Sequence, residues 1–159
     1  MMNKYEQRKP SGGKPYGGYQ QRAQELPPEC IFRDTFYERK YDCLKKGVFI
    51  DAAETAAKVF GREMSQSSIR SAFQTLKVTA KRIKTEKLDD CQVNNDFYKF
   101  VTYCEYQNRR KAAGKAIVPD SFLKFVKEHT KVVESNKNEF LGFLEYLTSI
   151  LARMKTKQR

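Results

Sequence analysis

The chain has 159 residues, enough for one domain around one core. Lys and Arg number 31 against 19 Asp and Glu, a formal charge of +12; self-repulsion makes such an excess costly in a compact fold, and it suits an anionic partner, most commonly nucleic acid. No run of 18 apolar residues and no apolar stretch behind a basic start is present, so neither a membrane span nor a secretory signal is expected, and the cytoplasm is the expected compartment.

Residues 1–28 differ in kind from the rest. They hold four of the eight glycines and four of the five prolines, and Lys4, Arg8, Lys9, Lys14 and Arg22 against Glu6 and Glu25 give them +3. Apolar surface is too scarce there to offset chain entropy, which predicts a disordered basic arm. Tyr5, Tyr16 and Tyr19 stand among Gly, Lys and Arg, a composition shared by nucleic-acid-binding tails and by passive solubilising ones. Taking +3 from +12 leaves +9 on residues 29–159, so the remainder is strongly basic by itself.

From Glu29 onward the pattern is helical, and the expected fold is all-α: a compact bundle of about five to six helices. A first helix is predicted over about Phe32 to Lys46, ended by Gly47 behind Lys45 and Lys46. A second begins at Asp51 as N-cap, with Glu54 completing a capping box, and ends at Gly61. Ser65, Ser67 or Ser68 caps the third, which runs to Lys84. Asp89, Asp90, Asn94 and Asn95 mark the next break. The fourth covers about Asp96 to Ala113, buries Phe97, Phe100, Val101 and Cys104, and is closed by Gly114. Pro119 and Asp120 open a fifth, with Phe122, Leu123, Phe125, Val126 and Val133 facing inward. The sixth, about Lys137 to Met154, carries Phe140, Phe143, Leu144, Leu147, Ile150, Leu151 and Met154, a stripe broad enough for a central helix.

The third helix carries two signals at once. With Ile69 at zero and about 100° per residue, Phe73, Leu76, Ala80 and Ile83 fall within about 40° of it, while Arg70, Lys77, Lys81 and Lys84 fall at about 60° to 120°. The cations therefore form a narrow edge beside the apolar stripe, about 21 Å long at 1.5 Å per residue, enough to follow several phosphates. Acidic residues are absent from Ser65 through Thr85, so no i,i+4 Glu–Lys pair forms inside this helix. The fourth helix ends in Arg109, Arg110 and Lys111, cations that complement its free carbonyls. Tyr98, Thr102 and Arg109 share one face and would offer a ring, a hydroxyl and a fork donor to a sugar–phosphate chain. Tyr103 and Tyr106 are expected to pack with wet hydroxyls.

Catalysis has little to stand on. Cys30, Cys43, Cys91 and Cys104 form no C-x-x-C pair and lie far from His129, the one histidine. Their spacing points to reduced cysteines acting as small apolar residues and not to a zinc site. Asp89–Asp90 falls in a turn, and His129 has no visible carboxylate or nucleophile partner, whereas acid–base chemistry needs a positioned pair. No cofactor, metal or enzymatic activity is expected.

Three stretches resemble a known family. "MSQSSIRSAFQTLK" (64–77) is similar to the Ser/Thr-rich cap, Ile-Arg and aromatic that open a basic helix in the small subunit of type III-A (Csm) CRISPR effector complexes. "FVTYCEYQNRR" (100–110) resembles its Tyr-rich helix ending in Arg, and "FLGFLEYLTSILARMK" (140–155) its closing helix. Together they cover about residues 48–155 in the family's order. The resemblance implies a helical bundle of about five helices without catalytic activity. Such subunits stack as several copies along a ribonucleoprotein filament, against the guide RNA and target RNA and beside repeated backbone subunits and a large polymerase-like subunit. It places the family's helix-opening arginine on Arg70, its following basic positions on Lys77, Lys81 and Lys84, and its later arginine on Arg109 or Arg110. The Gly/Tyr/Arg arm is not a family hallmark, and Asn108 stands where a small residue is expected. The small subunit of the related type III-B (Cmr) complex is also helical and basic. A DNA-binding regulator, with "GREMSQSSIRSAFQTLK" as turn and recognition helix, and a helical protein-interaction adaptor are the competing classes.

Overall fold

In the computed structural model, residues 25–155 are described, and the N-terminal arm lies outside them except for its last four positions. Leu26, grouped with the arm by composition, is buried. The elements in chain order are strands β1 (Tyr37–Arg39) and β2 (Cys43–Leu44), helices α1 (Ala53–Glu63), α2 (Arg70–Thr85) and α3 (Asp90–Arg109), strands β3 (Lys111–Ala112) and β4 (Lys115–Ala116), and helices α4 (Asp120–Ser135) and α5 (Lys137–Arg153). The architecture is the expected all-α bundle, with five α-helices and two small antiparallel hairpins among the described residues.

Helix α5 is the hub and packs against each of the other four. Its Phe140, Phe143, Tyr146, Leu147 and Ile150 are fully buried. The Phe143 ring lies 5.4–6.5 Å, centroid to centroid, from Phe36, Phe97, Phe100, Phe125 and His129. Gly142 permits a close crossing: a Cβ there would stand 2.9 Å from Phe36 Cβ and 3.0 Å from Tyr37 Cε2.

The predicted first helix does not form. The segment is a 3-10 turn at Pro28–Cys30, an extended stretch and the β1–β2 hairpin, in which Tyr41 takes a φ of 66°. Tertiary partners take the groups a helix would need. Phe32 N–H donates to His129 Nε2 at 3.0 Å, Phe36 N–H to Glu139 Oε2 at 3.1 Å, and the Tyr146 hydroxyl to Cys30 O at 2.9 Å. Gly47 begins a π-helical turn, Gly47–Ala52, that runs into α1, so it starts a helix where a stop was expected. Asp51 is accordingly inside the turn, and Glu54 pairs with Lys58 at 2.8 Å instead of forming a capping box. Gly61 lies within α1, which ends at Glu63.

The other boundaries shift for local reasons. Ser65 bonds the hydroxyls of Ser67 and Ser68 (2.7 and 3.1 Å) and caps neither the 3-10 turn Gln66–Ile69 nor α2. Helix α3 starts at Asp90, before the expected Asp96, because Asp89 and Gln92 form the capping box: Gln92 N–H to Asp89 Oδ1 at 2.8 Å and Asp89 N–H to Gln92 Oε1 at 3.1 Å. It ends at Arg109, and Gly114 is no C-cap: Ala113 (φ 51°) and Gly114 (φ 77°) make the two-residue turn between β3 and β4.

His129 is fully buried, with Nδ1 2.7 Å from Phe125 O and Nε2 accepting from Phe32 N–H. Those partners fix a neutral ring with its proton on Nδ1. Burial pushes its pKa down from 6.5 to about 4. The unfolded chain takes up a proton at this imidazole below about pH 6.5 while the folded chain does not until about pH 4, so stability is complete above that window and falls as pH drops through it. The expected loss is about 3 kcal/mol from this group. Urea unfolding from pH 7 to pH 4 should show it, and His129→Gln should be less stable at neutral pH with a flatter acid limb.

Candidate nucleic-acid interface

The roll of α2 about its axis decides what its cations face. Ile69, Ala72, Leu76 and Thr79 are buried, with Phe73, Ala80 and Ile83 half-buried, against α3 and α5. Thr79 was not part of the predicted apolar stripe. Its hydroxyl sits 2.9 Å from Asp96 Oδ2 on α3 and 3.2 Å from Thr75 O, which satisfies it inside the helix packing. The buried centre therefore lies about 40° to the Thr79 side of Ile69, and the cationic edge stands about 100–160° from it. Arg70, Lys77, Lys81 and Lys84 are thus carried out of the core boundary into solvent.

All four are exposed, and none is bridged to a carboxylate among the described residues. Lys77 Nζ lies 5.3 Å from the centroid of the Phe73 ring, which steadies its stem along the edge. Arg82, on the other side of α2, is engaged: it reaches Glu86 at 2.9 Å and Asp96 at 3.6 Å. Helix α4 also differs. Lys124 pairs with Glu25 at 3.5 Å, Lys127 with Glu105 at 2.7 Å, and Arg33 with Glu128 at 2.9 Å. Of these groups Arg33, Lys124, Lys127 and Glu128, together with Asp120, Leu123 and Lys131, line a shallow cavity of about 530 Å³ of mixed sign.

The expected ring, hydroxyl and fork donor on α3 are not assembled for a ligand. The Tyr98 hydroxyl donates to Glu134 Oε2 at 2.5 Å, which raises the phenol pKa, and the Thr102 hydroxyl donates to Tyr98 O at 2.9 Å. Tyr103 is half-buried and its hydroxyl reaches Ser68 O at 3.4 Å, tying α3 to the start of α2. Tyr106, expected to pack, is 58% exposed. Arg109 and Arg110 are exposed, and the Arg110 guanidinium lies 5.5 Å from the Tyr106 ring centroid. The Tyr103–Ser68 and Thr79–Asp96 contacts show α2 and α3 running antiparallel, so Arg109 and Arg110 lie at the same end of the bundle as Arg70. Asn108 fixes the end of α3 by donating to Val118 O at 3.0 Å and Asp120 Oδ1 at 2.8 Å.

Cys30 and Cys104 are buried, and burial pushes their thiols up to about 11 and about 12. Cys91 is exposed and Cys43 half-buried, so only the first two act as core residues. Among the described residues no group of three His, Cys, Asp or Glu is placed to hold a metal, and no helix is long and apolar enough to cross a membrane. Comparison with protein-family models, with curated proteins and with solved structures finds no match for this chain.

Two substitutions on adjacent faces of α2 should behave oppositely. Leu76→Ala removes a fully buried side chain and is expected to cost about 3 kcal/mol. Lys81→Glu, one turn away and unpaired, should stay within about 0.5 kcal/mol of the parent. Chemical denaturation of both variants at neutral pH checks this.

Proposed function

We propose that the chain is the non-catalytic small subunit of a type III-A CRISPR ribonucleoprotein effector. In this reading it works in the cytoplasm and holds the sugar–phosphate backbone of guide RNA and target RNA without reading sequence. The observation that carries the RNA contact is the α2 edge: Arg70, Lys77, Lys81 and Lys84, exposed and without a carboxylate partner among the described residues. Cations left unpaired in the folded protein release counterions when they meet a polyphosphate, which gives affinity that falls steeply with salt. Backbone and shape contacts of this kind carry no base specificity.

The assignment to type III-A is supported by the order of the three resembling stretches, which fall on the start of α2, the second half of α3 and the length of α5. Arg109 and Arg110 would add a second backbone contact at the Arg70 end. Several copies would stack along the complex beside its repeated backbone subunits and near the large polymerase-like subunit, so effective concentration compensates for weak binding by one copy.

Binding to single-stranded RNAs of scrambled sequence should agree within about threefold, with a log–log salt slope of about −3 for four contacts. Lys77→Glu combined with Lys81→Glu should weaken binding about tenfold or more while leaving the helical circular dichroism unchanged. Strong preference for one RNA, or retention of one duplex DNA sequence, would overturn the reading and favour a DNA-binding regulator; indifference of RNA association to the charge reversal would favour a protein adaptor. Purification from the native host at low salt should bring guide RNA and the backbone subunits along, and the identity of those subunits separates the type III-A reading from the type III-B one.

A further inference from the structure

We propose that Tyr106, backed by Arg110, is a stacking site for an unpaired nucleobase of the strand whose phosphates the neighbouring cations hold. Four tyrosines lie on α3 or α5 (Tyr98, Tyr103, Tyr106 and Tyr146), and three of them have their hydroxyls bonded, to Glu134, Ser68 O and Cys30 O. Among the described residues Tyr106 has no such bond and, at 58% exposed, is the most open of the large hydrophobic side chains. A single exposed ring needs no explanation by itself. This one has a cation against it: the Arg110 guanidinium lies 5.5 Å from its centroid, and the side chain is still 58% exposed.

The support beneath the pair is fixed. Arg110 N–H donates to Tyr106 O at 3.3 Å and Arg110 O accepts from Ile117 N–H at 3.0 Å, so the end of α3 and the β3–β4 hairpin hold the arginine's backbone from both sides. Arg109 and Lys111 flank it in the chain, Lys115 lies on the paired strand β4, and all three are exposed. Two carboxylates at this end of α3 are occupied: Glu105 bridges Lys127 at 2.7 Å, with Arg109 further lowering its pKa, and Asp120 accepts from Asn108 at 2.8 Å. An exposed aromatic ring thus stands at a helix end that carries Arg109, Arg110, Lys111 and Lys115, all exposed.

Those features choose the ligand. A base inside a duplex has both faces covered, so a ring on a convex helix surface takes an unpaired or terminal base. One helical turn, about 5 Å, separates Tyr106 from Arg109 and Arg110, which suits a base on the ring and its own phosphate on the guanidinium. Stacking is tolerant of base identity, so this site is compatible with binding that ignores sequence.

The inference rests on the proposed RNA contact, and the test separates the two. Anisotropy of the full-length chain at low salt is measured with a 12-nucleotide oligouridylate and with an abasic ribose–phosphate strand of equal length. The base-bearing strand should bind about tenfold more tightly. Tyr106→Phe should keep that preference; Tyr106→Ala should abolish it, and Arg110→Ala should reduce it. Lys77→Glu with Lys81→Glu should weaken both strands and leave their ratio unchanged. Equal binding of the two strands by the parent, or a preference that survives Tyr106→Ala, overturns the stacking site and leaves the backbone contact standing. A preference lost in Tyr106→Phe as well overturns stacking in favour of a hydroxyl contact. No binding of either strand overturns both.

Discussion

The packing of α2 against α3 and α5 fixes how the helix is rolled, and the roll fixes what its charges can do. Ile69, Ala72, Leu76 and Thr79 are buried on one side. Every apolar atom removed from water there adds to the preference for this orientation. The bonded Thr79 hydroxyl opposes a rotation that would strip it from Asp96, since an unsatisfied buried hydroxyl is costly. A helix locked in this way holds Arg70, Lys77, Lys81 and Lys84 on its solvent side without a carboxylate partner among the described residues.

Helix α5 provides the frame for that lock. Its aromatic residues hold α3 and α4 at once through Phe143 and Tyr146. Two buried polar side chains then recruit the segment before α1. Glu139 accepts from the Thr35 hydroxyl and from Phe36 N–H, and His129 accepts from Phe32 N–H. Each polar group would be expensive to bury alone and each is satisfied by backbone of an otherwise irregular stretch. The same bonds keep Phe32 and Phe36 against the core, where the latter stacks with His129 at 5.6 Å.

These bonds also explain what the sequence conceals. Phe32 and Phe36 stand four apart, a helical spacing, and nothing local reveals that their N–H groups belong to His129 and Glu139, 97 and 103 residues on. Long amphipathic segments were legible: α2, α4 and α5 lie within a few residues of their predicted places because their apolar period is long and unbroken. The two hairpins were not, since strands of two or three residues show no alternation. The cationic edge was readable from periodicity alone, although its offset from the core was not, because Thr79 buries a hydroxyl that a hydropathy pattern counts as outward. Tyr106 was legible and misplaced: it lies about 120° from Phe100 and about 160° from Cys104 around α3, so the helical period turns it away from the buried side, and it is 58% exposed.

The distribution of carboxylates makes the α2 edge more than a share of a generally basic surface. Lys77–Lys81 and Lys81–Lys84 are like-charge pairs at i,i+4 and i,i+3, each destabilising a helix by a few tenths of a kcal/mol. Helix α4 has lysines at similar spacing, yet Glu25 and Glu105 meet two of them. Acids are within reach of α2 as well, but Asp96 and Glu86 both serve Arg82. Arg82 lies about 100–160° around the helix from the four unpaired cations. At physiological salt, charges beyond about 8 Å are largely screened, so those acids do little for the opposite edge. No carboxylate among the described residues offsets the repulsion along that edge, and an external polyanion is the partner that would offset it.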